Sequence, residues 1–208
     1  MTYRSIHHHF PWFNGLGSRH RGRLRILSRG AALLPLPAML AVCCLAQQSK
    51  PPAPPTMAQF KAEKFVVRTL DGKRVDLNSL LGSGKVVVLD FWTTWCGPCR
   101  QEIPHLNQIA ENHRKDGLLV IGLNLESPTE DREAVRDFVR ELKMKYPSVF
   151  APDAIYQFFN PNATGYRIPQ TVVFDARGQL VRRLVGYNAT RGKEILDQAV
   201  AKALGKAE

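Results

Sequence analysis

Two cysteines separated by two residues, in Trp95-Cys96-Gly97-Pro98-Cys99-Arg100, stand directly after the apolar run Val86-Val87-Val88-Leu89-Asp90-Phe91. The run has the length and β-branched content of a buried strand, and the cysteines open the segment that follows it. A helix starting at about Gly97 puts Cys96 where unpaired backbone N–H groups and the helix dipole favour a thiolate. Cys99 lies one turn further along the same face, so its thiol can attack a mixed disulfide formed at Cys96. Of the two, only Cys96 is expected at the exposed helix start. The pair is a redox site in outline, and it demands a fold that delivers a strand end into a helix N-terminus.

The other two cysteines belong to a different kind of segment. Residues 1–46 carry six arginines and no acidic residue, which is +6 of the chain's formal +11. Ala31 to Ala46 is apolar but broken by Pro35 and Pro37. That is short of the roughly 20 apolar residues of a membrane span and suits the apolar region of a secretory signal. Two processing routes stay open: cleavage after Ala46, or a lipoprotein-like box, Leu40-Ala41-Val42-Cys43, in which Cys43 would be acylated. Valine before the cysteine departs from the usual glycine or alanine. With Cys43 and Cys44 in the leader, the exported body holds only Cys96 and Cys99. A lone pair in an oxidising compartment becomes a disulfide unless a donor reduces it. The basic excess thus reads as targeting; no cluster of Lys and Arg on a folded motif points to nucleic acid.

At 208 residues the chain suffices for one well-buried domain with extensions. Gln47 to Gln59, with Lys50-Pro51-Pro52-Ala53-Pro54-Pro55, reads as an extended tether. The folded domain is expected over 60–208. Phe65–Leu70 and Lys73–Leu77 alternate around Asp71-Gly72, as a β-hairpin does. The Cys96 helix should run to about His113, kinked at Pro104. Leu118–Asn124 reads as a second buried strand. Ser127-Pro128-Thr129-Glu130 reads as a helix start, with Ala134, Val135, Phe138, Val139 and Leu142 on one stripe and a stop at Tyr146-Pro147. After a short insertion, strand, Ala176-Arg177-Gly178 turn and strand lead into a last helix using Ile195, Leu196, Ala199, Val200, Ala203 and Leu204. This order describes an α/β domain, a central mixed sheet covered by helices.

Asp90-Phe91-Trp92-Thr93-Thr94-Trp95-Cys96-Gly97-Pro98-Cys99 resembles the active-site strand and turn of the thioredoxin fold. Within that fold the chain is most similar to TlpA/ResA-type thiol–disulfide oxidoreductases, over about Phe60 to Leu204. Arg167-Ile168-Pro169-Gln170-Thr171 resembles the loop in which this family carries a cis proline. The resemblance implies that Pro169 is cis and that Ile168 offers its backbone to an extended substrate segment. Gln170 stands where threonine is common. The resemblance also gives Asp90 and Glu102 the role of bases that deprotonate the more buried thiol, Cys99. Glu102 equally reads as a solvated charge near a helix N-terminus. Trp95, with Gly97 and Pro98, would cover the disulfide and meet partners, Trp92 would pack in the core, and Gly186 fits a glycine that allows close approach beside the site.

The activity so implied is reduction of disulfides in exported proteins at the outer face of the cytoplasmic membrane or in the periplasm. A membrane thiol donor would supply the electrons, and no cofactor is needed beyond the Cys96–Cys99 disulfide. Gly97-Pro98 resembles the intervening pair of reducing members. Cytochrome c maturation and copper-protein assembly are both compatible client pathways. Two rivals share the scaffold: a peroxiredoxin-like peroxidase and a copper-binding module. A structural zinc would need a second Cys pair, and a copper site a His beyond His113; the sequence offers neither, so no metal is expected.

Overall fold

The computed structural model describes residues 57–206. Cys43, the Arg-rich leader, its apolar run and the proline cluster of the tether lie outside the described residues. No helix among the described residues is long and apolar enough to cross a membrane.

Seven strands form one mixed sheet in the order β2-β1-β5-β4-β3-β6-β7. The hairpin of β1 (Val66–Thr69) and β2 (Arg74–Asp76) lies at one edge, with Val66 opposite Asp76 and Gly72 in the turn at a φ of +89°. At the centre, β3 (Val86–Trp92) is buried at every position, as an uninterrupted apolar run requires. It pairs in parallel with β4 (Leu118–Asn124) and antiparallel with β6 (Gln170–Phe174), so Asp90 lies between Gly122 and Thr171. The outer strand beyond β6 is β7 (Leu180–Val185).

Alternation along β3 sorts two cores. Val87, Leu89 and Phe91 meet Phe60 from α1 (Met57–Glu63) and Ile155, Tyr156 and Phe159 from α5 (Asp153–Phe159). Val86 and Val88 face Leu106 of α3 (Gly97–Asn112) and Leu196 and Val200 of α6 (Arg191–Ala203). A third cluster gathers Trp92, Cys96, Cys99, Ile103, Val135 and Phe138, which joins α3 to α4 (Arg132–Glu141). Trp92 stacks on Phe138 with ring centroids 4.9 Å apart, the core role expected for it.

Several local expectations are corrected. The helix α1 takes in Met57 to Gln59, which the tether reading made extended; this stretch contains no proline, and Phe60 anchors it in the core. Leu77 begins a one-turn helix, α2 (Leu77–Leu80), rather than closing β2, because the Asp76 carboxylate accepts the Asn78 N–H at 2.9 Å. The Ser127 hydroxyl does accept the Glu130 N–H, yet the Asp131 carboxylate takes the Ser127 N–H and closes a separate turn. Helix α4 therefore starts at Arg132, and Ala134 is exposed. It ends at Glu141, with Lys143 at a φ of +48°, because the chain turns there to enter β5 (Ser148–Phe150). The supposed short insertion is β5 plus α5, one strand of the central sheet and a helix of the core.

Candidate active site

The redox pair sits where β3 hands over to α3. Cys96 is the N-cap of α3, and its sulfur accepts the Cys99 N–H at 3.2 Å. The two sulfurs are bonded at 2.01 Å. An N–H aimed at the Cys96 sulfur is the contact that favours a thiolate there once the bond is reduced. The expectation of an exposed Cys96 is corrected. It is only 4% accessible, against 1% for Cys99, because the third core cluster closes over both. What is exposed is the collar: Trp95 at 66%, with Gly97 and Pro98.

A clamp that the sequence reading missed holds the turn before Cys96. The Glu126 carboxylate accepts the Thr94 N–H at 2.7 Å and the Thr94 hydroxyl at 2.5 Å. Asn124, at the end of β4, donates to the same carboxylate at 2.8 Å. A bidentate grip of this kind fixes the approach of Trp95 and Cys96, and its only sequence trace is an acid just past a buried strand. Arg100 closes the far side, paired with Glu141 at 2.6 Å and lying 4.5 Å over the Phe138 ring.

Beneath the pair are two buried carboxyls. Asp90 is 1% exposed, and Oδ2 accepts the Tyr146 hydroxyl at 3.0 Å. Glu102, one helical turn past Cys99, is 2% exposed; Oε1 accepts the Thr171 hydroxyl at 2.5 Å. The reading of Glu102 as a solvated helix charge is thereby excluded. Neither Asp90 Oδ1 nor Glu102 Oε2 has a partner among the described residues. Burial raises Asp90 to about 7, against the pull of the Tyr146 hydrogen bond. Burial first, and then the charge of Asp90, raise Glu102 to about 8. The two titrate as a pair, and near neutrality they hold a proton between them while accepting another at little cost.

Tyr146 is the second residue the sequence reading missed. It arrives from the segment before β5, and only Gly122 on β4 leaves it room. A Cβ at Gly122 would lie 2.7 Å from Ser148 Oγ, 2.8 Å from Trp92 Nε1 and 3.3 Å from the Tyr146 ring. Burial, with the Asp90 charge, pushes the Tyr146 phenol well above its ordinary value, so it stays a donor.

On the other side of the pair, the Ile168–Pro169 bond is cis, as expected. Ile168 packs against the cluster holding both cysteines. Gln170 is fully buried, and neither of its amide atoms has a partner among the described residues. Gly186 donates its N–H to the Pro169 carbonyl at 2.8 Å. The close-approach explanation for this glycine is corrected, since a Cβ would meet nothing within 4 Å; its φ of +79° is what calls for glycine. His105 bridges Asp197 at 2.7 Å and Tyr187 at 3.3 Å. Among the described residues no three His, Cys, Asp or Glu side chains are grouped to hold a metal ion.

A helix-capping cysteine, a second cysteine one turn below it, buried carboxyls under both and a cis proline alongside define a dithiol–disulfide exchange centre on a thioredoxin fold. Residues 58–183 match the AhpC/TSA family, and the chain belongs to it. It is 32% identical over 126 residues to the thiol-disulfide oxidoreductase ResA of Bacillus cereus, covering 61% of this chain and 68% of that one. It is 27% identical over 125 residues to sporulation thiol-disulfide oxidoreductase A of Bacillus subtilis, 60% of this chain and 69% of the other. Among solved structures, a thiol:disulfide interchange protein of the thioredoxin family from Chlorobium tepidum aligns with a TM-score of 0.57 at 30% identity, covering 75% of this chain and 99% of that one. The protein is a thiol–disulfide oxidoreductase.

Proposed function

We propose that the chain works as a reductant of disulfides in exported proteins, held at the outer face of the membrane by its N-terminal segment and resupplied by a membrane thiol donor. The observation that carries the chemistry is the placement of Cys96 as the α3 cap, with Cys99 one turn below it and the Asp90–Glu102 pair alongside. In the reduced enzyme the Cys96 thiolate attacks a client disulfide, forming a mixed disulfide and releasing the first client sulfur as a thiolate that takes a proton from solvent. Cys99 then gives its proton to the carboxyl pair and attacks the Cys96 sulfur. The Cys96–client bond breaks, the second client thiolate leaves, and two electrons have passed from the enzyme to the client. The dithiol donor reverses the same exchange to restore Cys96 and Cys99. No cofactor beyond the disulfide enters these steps.

The export reading rests on the Arg-rich leader, its apolar run and the proline-rich tether occurring in that order. The direction rests on Gly97-Pro98 between the cysteines, with no His there to stabilise the thiolate further. A peroxidase would have no need of Cys99 three residues from Cys96, whereas exchange uses both. In an insulin-type reduction assay, Cys96→Ser should abolish turnover, and Cys99→Ala should accumulate a mixed disulfide. Full multiple turnover by Cys99→Ala would refute the division of roles. Fractionation tests the location: unprocessed chain recovered from the cytosol would overturn it, and a free N-terminus at Gln47 would exclude acylation of Cys43.

A further inference from the structure

We propose that the groove between β7 and the start of α6 is a second docking surface for the client, and that it selects polypeptide carrying carboxylates close to the disulfide to be reduced. This rests on the reductase reading and adds to it a class of preferred client.

The groove begins at the site itself. Gly186, which follows β7, is hydrogen-bonded to the Pro169 carbonyl, so a chain lying along the cis-proline loop runs directly onto it. From there a cavity of about 440 Å³ opens, lined among others by Arg182, Arg183, Val185, Tyr187, Arg191 and Ile195, with no acidic residue in its wall.

Its charge is one-sided. From Ala176 to Lys193 the chain carries five cations and no Asp or Glu. Arg177 is held by Asp175 and Lys193 by Asp197. Arg183 donates to the Phe159 carbonyl, which leaves its charge uncompensated. Arg182 and Arg191 are exposed and form no ion pair among the described residues. Arg182 and Arg191 thus leave two unpaired charges on the α6 side of β7, while the Arg183 side chain turns to the other face toward Phe159; a concave wall with unpaired cations raises the local concentration of an anion. Guanidinium groups also fit carboxylates in a two-point geometry that lysines do not.

The surface offers backbone and apolar contact as well. Since β7 is the outer strand of the sheet, one of its edges is unpaired and open to an extended segment. Three large apolar side chains are exposed among the described residues, Val66, Trp95 and Val185. Two of them, Trp95 at 66% and Val185 at 49%, belong to segments that flank the disulfide, one before Cys96 and one beside the cis-proline loop. On the Trp95 side Arg100 is paired with Glu141, whereas Arg182 and Arg191 near Val185 form no ion pair among the described residues. A client held by apolar contact on both sides is therefore oriented by its charge, with its acidic flank toward β7.

Charged residues on an outer strand also serve to keep that edge from pairing with other chains, and this is the outcome the experiment must separate. The full chain, reduced, is given three fluorogenic peptides bridged by one disulfide and differing only in flanking Glu, Gln or Lys residues. At low salt the Glu peptide should be reduced with a kcat/KM about tenfold above the Lys peptide, mainly through KM, and the ratio should collapse at high salt, where screening shortens to a few ångströms. Arg182→Gln combined with Arg191→Gln should abolish the preference and leave the rate on the Gln peptide unchanged. Arg114→Gln with Lys115→Gln, at the turn after α3, should leave the preference intact. Equal rates on all three peptides, or a preference that survives the Arg182/Arg191 variant, would overturn the docking surface while leaving the reductase reading standing. Failure of the native enzyme to reduce any of the peptides would overturn both.

Discussion

Replacing Glu102 with glutamine should stabilise the oxidised protein, and by an amount that grows with pH. A carboxyl whose folded value is raised favours the protonated state, so it weakens the fold as pH climbs from its unfolded value through its folded one. Glu102 is raised from 4.5 to about 8. At pH 7 the unfolded chain gains from ionisation over about 2.5 pH units that the folded chain forgoes, worth about 3 kcal/mol at 1.36 kcal/mol each. Asp90 competes for the same proton, which makes that figure a ceiling. Glutamine keeps an oxygen to accept the Thr171 hydroxyl and removes the ionisation. Wild type and Glu102→Gln should therefore agree within about 1 kcal/mol at pH 5, and the variant should be more stable by about 2–3 kcal/mol at pH 8. Guanidinium unfolding of the disulfide-bonded form from pH 5 to 9 makes the measurement, since neither cysteine titrates in that form. His105, lowered by burial, weakens the fold in the opposite direction, as pH falls, but it is common to both proteins and cancels in the difference. A variant less stable at every pH, or a difference that does not vary with pH, would refute the buried-acid reasoning.

The same pair should govern release of the mixed disulfide. In single-turnover decay of a preformed adduct, Glu102→Gln should slow resolution most at about pH 7–8, where the pair can still accept the Cys99 proton, and least below about pH 6, where Asp90 and Glu102 are both already protonated; unchanged decay in Glu102→Gln beside slow decay in Asp90→Asn would assign the proton transfer to Asp90 alone. Tyr146→Phe removes the one side-chain donor that Asp90 has among the described residues, so the Asp90 carboxyl should rise from about 7; the variant should lose about 1 kcal/mol at pH 8 and little at pH 5, as read by the same unfolding series. Gly122→Ala should cost about 1–3 kcal/mol by crowding Trp92, Ser148 and Tyr146, and an unchanged melting temperature would mean that the polar pocket yields more easily than its geometry indicates.

Local pattern was sufficient wherever one stretch of chain carries its own reason. The unbroken apolar run of β3, the Asp-Gly turn of the hairpin and the last helix, with Leu196, Ala199, Val200 and Ala203 on its buried stripe, each follow from periodicity and turn chemistry. The two cysteines follow from spacing alone, because a disulfide across one helical turn needs no distant residue. Where local rules compete, the reading slipped: the Ser127 turn satisfies its own N–H groups and postpones α4, and a three-residue strand such as β5 is too short to show a period.

What distance in sequence conceals, the tertiary structure decided. The acid beside Cys99 on the helix is legible as a residue, but whether Glu102 is a solvated charge or a buried acid depends on Thr171, 69 positions away, and on Asp90 across the sheet. Tyr146 reaches Asp90 only because Gly122 clears the way, and Glu126 reaches Thr94 only because β4 runs parallel to β3. Sequence thus determined which groups do the chemistry, since reactivity belongs to residue types at short spacing. Burial and long-range pairing determined when those groups hold or release a proton, since the energy of a charge depends on everything packed around it.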